Sequence, residues 1–285
     1  MRWLLIDAGN TALKWEVFTG ATVQWPAPKG EGAPTTRWQG TLPIDSGDLN
    51  AELARACSAA SALTGTPVPT AVYGCATTSD ERVRAIELAL RAANAPLVQW
   101  LKAGVRFDHD GIELRNAYAE AEQLGSDRWH ALIGARGRFA RGALAVVSAG
   151  TATTVDGLAP DGRFLGGVIA PGGDMMRAAL AKGTARLPLA EGEYASHPDN
   201  TADAICTGVL DAQLGLIERR VRRIREAVGG TVQVVLSGGR AAQLFPFLQA
   251  QSGFSKLAIE SDLVLRGLWH HARAIATEAL TRPAA

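Results

Sequence analysis

Arg2-Trp3-Leu4-Leu5-Ile6-Asp7-Ala8-Gly9-Asn10-Thr11 is the stretch on which the reading of this chain turns. A strand-like apolar run ends in an acid, and a tight glycine turn carrying an amide and a hydroxyl follows it. Glycine lets neighbouring backbone N–H groups converge on an anion with no Cβ in the way, so such a turn suits a polyphosphate. Asn10 and Thr11 add side-chain donors, and Lys14, on the next strand, is placed to reach a terminal phosphate as a point charge. Asp7 cannot bind phosphate itself, because like charges repel. The work open to it is holding Mg²⁺, directly or through water. An ordinary hairpin turn uses the same residue types. Against that plainer reading stands a second, degenerate copy: Ala145-Val146-Val147-Ser148-Ala149-Gly150-Thr151-Ala152 again joins a strand to a small residue, a glycine and a hydroxyl. Two such clamps imply duplicated halves closing on a nucleotide. No G-x-x-x-x-G-K-[ST] occurs, and no G-x-G-x-x-G follows the first strand, so neither standard nucleotide fingerprint applies.

Composition bounds the answer. A chain of 285 residues exceeds a typical single domain, and halves of roughly 100 to 150 residues would each bury an adequate core. Hydrophobic residues at 47% and charged residues at 20% are the balance of a globular protein rather than a disordered one. A formal charge of +1 offers no overall attraction to nucleic acid or to an anionic membrane, and neither is expected as a partner. Cys57, Cys75 and Cys206 are too widely spaced for a thiolate zinc site and read as buried free thiols. The N-terminal apolar run is broken by Asp7, too early for a signal-peptide core, and no uncharged apolar segment approaches membrane-spanning length. A cytoplasmic location is expected.

Periodicity gives an element order. Residues 2 to 7, 12 to 18 and 35 to 41 read as a strand meander, with the Pro- and Gly-rich stretch from Gln24 to Thr36 as an irregular loop. A helix over 48–63, a strand over 70–75, a helix over about 80–93 begun by Ser79 or Asp80, and a strand over 97–101 complete βββαβαβ. After a helix spanning about 116–139, strands at 143–148, 151–158 and 163–169, a helical pair, strand 231–236, helix 239–249, strand 256–259 and a terminal helix from 262 repeat that order. The fold expected is α/β: two ribonuclease H-like domains, over 1–115 and 116–285, in the duplicated architecture of the acetate and sugar kinase, Hsp70 and actin superfamily, with the nucleotide in the cleft between them.

At Leu124-Gly125-Ser126-Asp127-Arg128-Trp129 the chain resembles the type III pantothenate kinases, also called Bvg accessory factor proteins. Asp7-Ala8-Gly9-Asn10-Thr11 with Lys14, Gly150-Thr151-Ala152-Thr153-Thr154-Val155-Asp156, Gly166-Gly167-Val168-Ile169-Ala170-Pro171-Gly172 and Asn200-Thr201 agree in order, and Leu236-Ser237-Gly238-Gly239 fits the family's adenosine-side segment. The resemblance implies ATP-dependent phosphorylation of pantothenate at its primary hydroxyl, the first step towards coenzyme A, by a homodimer using Mg²⁺. It implies Asp127 as general base and Arg128, with the Gly125 and Ser126 backbone, as the hold on pantothenate. It also implies Tyr118 as a substrate contact, although the family's usual proline three residues later is Ala121 here. Thr201 would reach the pantothenate site of the neighbouring subunit. Asp7, Ala8, Gly9, Asn10, Thr11, Lys14 and Thr151 would hold ATP and its metal. Many relatives carry Asp where this chain has Ser148, and that Asp binds an activating K⁺ or NH₄⁺, so the exchange to a neutral hydroxyl implies a weak or empty cation site.

The chemistry of Asp127 and Arg128 agrees independently. Phosphoryl transfer to an alcohol needs a carboxylate near the attacking oxygen, and a guanidinium beside it can grip a substrate carboxylate in a bidentate fork. A surface Asp-Arg pair is the alternative for these two alone. Asp156 could assist Mg²⁺ or fix the second turn, or simply end a hairpin strand. Trp129 is expected to pack beneath Asp127, and His271 to lie on a helix surface. Residues 183 to 200 have the composition of a cover over the site. Arg219, Arg220, Arg222, Arg223 and Arg225 fall on a helix whose Leu210, Leu214, Ile217, Val221, Ile224 and Val228 form an apolar seam, which makes the arginines a solvated face rather than a nucleic-acid patch. The rival functions are another small-molecule kinase of the same superfamily and a non-enzymatic accessory protein of transcription.

Overall fold

The computed structural model of the chain describes residues 2–19, 38–43, 48–62, 69–184, 187, 189, 191–251 and 253–281. The chain forms two compact units. The first comprises Met1–Glu113, Tyr118–Ala140 and Leu263–Ala285, and the second Leu114–Ala117 and Arg141–Asp262.

In the first unit, β1 (Arg2–Ala8), β2 (Ala12–Thr19) and β3 (Trp38–Pro43) form the expected antiparallel meander. Helix α1 (Leu49–Ala62), β4 (Ala71–Ala76), α2 (Asp80–Ala92) and β5 (Val98–Trp100) follow. The five strands lie in the order β3-β2-β1-β4-β5, with β4 and β5 parallel to their neighbours. The central strand β1 is buried on both faces, and its alternate residues feed two cores. Leu4, Ile6 and Ala8 pack with Leu53 of α1 and Ile86 and Leu90 of α2. Trp3 and Leu5 face the other way and pack with Leu265, Leu268 and Trp269 of the C-terminal helix. Fully burying one such side chain contributes about 1.5–3 kcal/mol, so the two-faced pattern fixes the register of β1 firmly. Ser79 caps α2, its Oγ accepting from Arg82 N at 3.4 Å, with Asp80 and Glu81 in the first turn and Arg91 in the last, as the helix dipole favours.

A short hairpin, β6 (Arg106–His109) and β7 (Ile112–Arg115), then a single 3₁₀ turn at Ala121–Gln123, lead into α3 (Ser126–Arg138). The second unit holds β8 (Ala143–Ala149), β9 (Ala152–Leu158), β10 (Phe164–Pro171), α4 (Gly173–Gly183), α5 (Thr201–Val228), β11 (Val232–Ser237), α6 (Ala241–Gln249) and β12 (Leu257–Ile259). Its sheet order, β10-β9-β8-β11-β12, reproduces that of the first sheet strand for strand, which is the duplication expected. Leu214, Ile217, Val221 and Ile224 of α5 are buried against β8 and β11, while Arg219, Arg222 and Arg223 are exposed, so the apolar seam serves the unit's own core.

Four features depart from the sequence reading. The helix expected over 116–139 begins only at Ser126, because Gly125 is extended at φ −52°, ψ 135° and its carbonyl takes the first helical bond, from Trp129 N at 3.0 Å. The hairpin at 106–115 was not anticipated, although Asp110-Gly111 is the dipeptide that supplies two consecutive positive φ values, here 51° and 75°. The strand read over 35–41 starts at Trp38, and residues 35–37 and most of the preceding loop lie outside the described residues. The compact units also differ from a single division after residue 115. The last helix, α7 (Leu263–Thr281), returns to the first unit and packs on α3, β1 and β4, where its apolar face fills the second core beside β1.

Candidate active site

Asp7 is the last but one residue of β1, on the face that α7 covers. The strand register places it beside Lys14 of β2 and Cys75 of β4. Cys75 Sγ lies 3.7 Å from Asp7 Oδ1. Burial pushes the Asp7 carboxyl up to about 6; the Lys14 charge pulls against this and the Asp127 charge adds to it. The turn beyond it closes with Gly9 N donating to Ala12 O at 3.1 Å, leaving Asn10 and Thr11 exposed at its tip.

Helix α3 brings Asp127 to this carboxylate. Ser126 Oγ donates to Ala76 O, at the end of β4, at 3.1 Å, which ties the first turn of α3 to the strand adjoining β1. Asp127 Oδ1 accepts from Arg128 N at 2.8 Å. A Cβ at Gly125 would stand 2.7 Å from Asp127 Oδ1, so a side chain there would displace that carboxylate. Burial raises the Asp127 carboxyl above the ordinary range, opposed by the Arg128 backbone N–H and the Arg128 charge. The Arg128 side chain is only 5% exposed, and its Nη1 donates to Tyr118 Oη at 3.3 Å. Trp129, two residues on in α3, is wholly buried. Asp7, Lys14, Tyr118, Gly125, Ser126, Asp127 and Arg128 therefore all belong to the first unit.

Thr151 belongs to the second unit, in a turn one residue shorter than the first: Gly150 N donates to Ala152 O at 3.1 Å. Two other glycine segments press on it. Gly172 N donates to Thr151 O at 2.9 Å, and a Cβ on Gly172 would meet Gly150 O at 2.2 Å. Gly238, at φ 91°, leaves room for no Cβ beside Ala149, whose carbonyl accepts from Arg240 N at 3.0 Å. A cavity of about 290 Å³ opens beside this turn, lined among others by Gly150, Asp174, Arg177, Tyr194, Arg240 and Phe247. Asp174 sits between Arg240 and Arg177, and the hydrogen bond from Arg240 above all holds its carboxyl below the usual range. Tyr194 meets Phe247 edge-on at 4.9 Å between centroids. The sequence reading missed this cavity; its signals were Asp174 opening a helix after Gly172-Gly173 and Arg240 directly after Ser237-Gly238-Gly239.

Ser148 stands in register between Thr154 of β9 and Ser237 of β11, a row of three hydroxyls with no carboxylate among them. Thr154 Oγ1 is buried without a hydrogen-bond partner. Asp156 is buried in β9 and does not end a hairpin strand at the surface. Thr201 is exposed as the first residue of α5, and Asn200 caps the helix, its Oδ1 accepting from Asp203 N at 3.0 Å. Of the segment 183–200, residues 185, 186, 188 and 190 lie outside the described residues. Cys57 and Cys75 are buried free thiols, whereas Cys206 is half-buried, its sulfur accepting from Gly192 N at 3.2 Å.

Comparison with known proteins is consistent along the chain. The type III pantothenate kinase family matches residues 3–223. A type III pantothenate kinase of Aromatoleum aromaticum is 43% identical over 93% of this chain and 95% of its own length. Another, of Laribacter hongkongensis, is 40% identical over 95% of this chain and 98% of its own. A solved Campylobacter jejuni structure, assigned to the Baf family of transcriptional activators, covers 98% of this chain and 100% of its own with a TM-score of 0.51 at 18% identity, a likeness of fold alone. With the family matched over most of its length and two relatives this similar, the chain belongs to the type III pantothenate kinases.

Proposed function

We propose that this chain transfers the γ-phosphoryl group of ATP to the primary hydroxyl of pantothenate, with Asp127 as the general base. The observation that carries the assignment of roles is the gathering of Asp7, Lys14, Asp127, Arg128 and Tyr118 at one end of the first sheet. Asp127 accepts the hydroxyl proton as the alcohol oxygen bonds to phosphorus and the bond to ADP breaks. Burial raises the affinity of its carboxylate for that proton, which suits a base better than an ordinary surface aspartate. Arg128, steadied by Tyr118, offers its guanidinium to the pantothenate carboxylate, with the Gly125 and Ser126 backbone alongside. Lys14, the turn at Ala8–Thr11 and Thr151 hold the phosphates. The 290 Å³ cavity, with Tyr194 and Phe247 as an aromatic wall, takes the adenosine side.

Mg²⁺ would neutralise charge on the phosphates. Among the described residues no three His, Cys, Asp or Glu side chains gather into a metal cage. A single carboxylate, Asp7, is the donor present, and that fits an ion held mainly by substrate oxygens and water. Ser148 leaves the neighbouring hydroxyl row with no charged ligand, so a monovalent cation would bind weakly. Thr201 on the exposed start of α5 supports a homodimer in which each subunit completes its partner's pantothenate site; closed two-fold dimers are the commonest assembly. No described helix is long and apolar enough to cross a membrane, and the cytoplasm, where coenzyme A precursors are phosphorylated, is the proposed location.

Four outcomes test this reading. Asp127→Asn should keep ATP binding while turnover falls by roughly two or more orders of magnitude; near-native turnover would remove the base assignment. Asp7 has a carboxyl raised in the folded state from 3.8 to about 6, so folded protein holds more protons than unfolded protein across that window and stability declines as pH rises through it. Asp7→Asn should therefore raise the unfolding midpoint of the ligand-free protein at pH 7.5 but hardly at pH 4, and should raise the Mg²⁺ requirement of the reaction; unchanged melting and Mg²⁺ titrations together would contradict it. Rates in sodium, potassium and ammonium salts at constant ionic strength should be alike, and strong activation by K⁺ or NH₄⁺ would show that Ser148 has not abolished the site. Mixing Asp127→Asn chains with Thr201→Arg chains should restore part of the activity, because one hybrid site carries neither change, whereas a monomer in sedimentation at assay concentration would exclude shared sites.

A further inference from the structure

We propose that His130 and His271 form a tautomer-locked clasp that positions Asp127, making both of them positioning residues for the phosphoryl transfer. The inference rests on the reading of Asp127 as general base. His130 lies one turn after Ser126 on α3 and is wholly buried, with Nδ1 2.6 Å from the Ser126 carbonyl oxygen and Nε2 3.0 Å from His271 Nδ1 on α7. A carbonyl can only accept, so His130 Nδ1 carries a proton, and in the neutral ring Nε2 then offers a lone pair. His271 Nδ1 must then be the donor in the second bond. With His130 neutral, one arrangement of protons satisfies both contacts; a cationic His130 would instead donate from Nε2 to His271 Nδ1. Burial first, and the neighbouring His271 second, push His130 down to about 3, which keeps it neutral at any working pH.

The surroundings hold the pair in this arrangement. The ring of His271 is met edge-on by Phe107 of β6 at 5.5 Å and lies at 5.2 Å from that of His130. Burial lowers His271 as well, with Glu278, one helical stretch further along α7, acting in the opposite sense. Beneath the rings the two helices approach closely: a Cβ on Gly267 of α7 would stand 1.8 Å from His130 O, and one on Gly134 of α3 would stand 2.2 Å from Leu263 O. The backbones are thus pressed together at Gly134 and Gly267, and the His pair sets their rotation about that contact.

The consequence falls on the first turn of α3. Ser126 is held on two sides, its hydroxyl on Ala76 O of β4 and its carbonyl under the His130 ring. Asp127 follows it directly, so a rotation of this turn swings the carboxylate. A misplacement of about 1 Å at a reacting centre can lower a rate by roughly 10²-fold, and partial loosening should have a smaller effect.

Two measurements test the clasp. Imidazole ¹⁵N NMR of the unmodified protein between pH 6 and 8 should show His130 protonated at Nδ1 alone; the opposite tautomer or a cationic ring at pH 7 would overturn the proposal, whatever the role of Asp127. In kinetics, His271→Leu should lower kcat about tenfold with KM for ATP within about twofold. His271→Asn, which keeps a donor near the Nδ1 position, should recover most of that loss. Adding His271→Leu to His130→Asn should lower kcat no further, because the second residue acts only through the first. Equal kcat for the Leu and Asn variants, or additive losses in the double variant, would refute the clasp. Near-native turnover in Asp127→Asn would instead refute the base and leave the NMR result standing.

Discussion

Burial of β1 on both faces is the constraint from which the first unit follows. A strand whose alternate residues enter two cores must be covered on two sides, and α1 and α2 supply one cover while α7 supplies the other. Asp7 falls on the α7 side by strand alternation, together with its register partners Lys14 and Cys75. Because α3 packs on α7, its first turn arrives over the end of β1 and β4, where Ser126 reaches the Ala76 carbonyl. The meeting of Asp7 with Asp127, far apart in sequence, is thus a product of core packing.

That meeting is electrostatically uphill. Two carboxylates and the Cys75 thiol share a buried corner, and burial raises all three. The strand register sets the Lys14 cation beside Asp7, and Arg128 lies beside Asp127, so each acid has a partial counterweight. The raised carboxyls mark a local cost to folding when both acids are ionised.

The two units share one sheet order but not one chemistry. The first turn is the longer and carries an acid before it; the second is shorter, is preceded by Ser148, and is crowded by Gly172 and Gly238 so closely that neither can bear a side chain. Duplication supplied two similar platforms, and the residues at their tips differ: Asp7 before the first turn, Ser148 before the second.

Much of this was legible in the chain. The period-two runs, the paired turns, Ser79 as a helix cap and the Gly125-Ser126-Asp127-Arg128 segment are local signals, because turns, caps and strand alternation depend on neighbours a few residues away. The Asp110-Gly111 turn is an equally local signal, carried by two consecutive positive φ angles. What only the tertiary structure decided depends on distance in sequence. The return of α7 to the first unit, the cavity between Asp174, Arg240 and Phe247, and the bond from His271 to His130 join elements separated by tens to more than a hundred residues. His271 reads as helix surface in the sequence, since helical periodicity reports which face is apolar but not which neighbour covers it. The sequence determined the elements, their order and the chemistry at their ends; close packing at Gly134 and Gly267, where two backbones meet for want of side chains, decided which of those ends face one another.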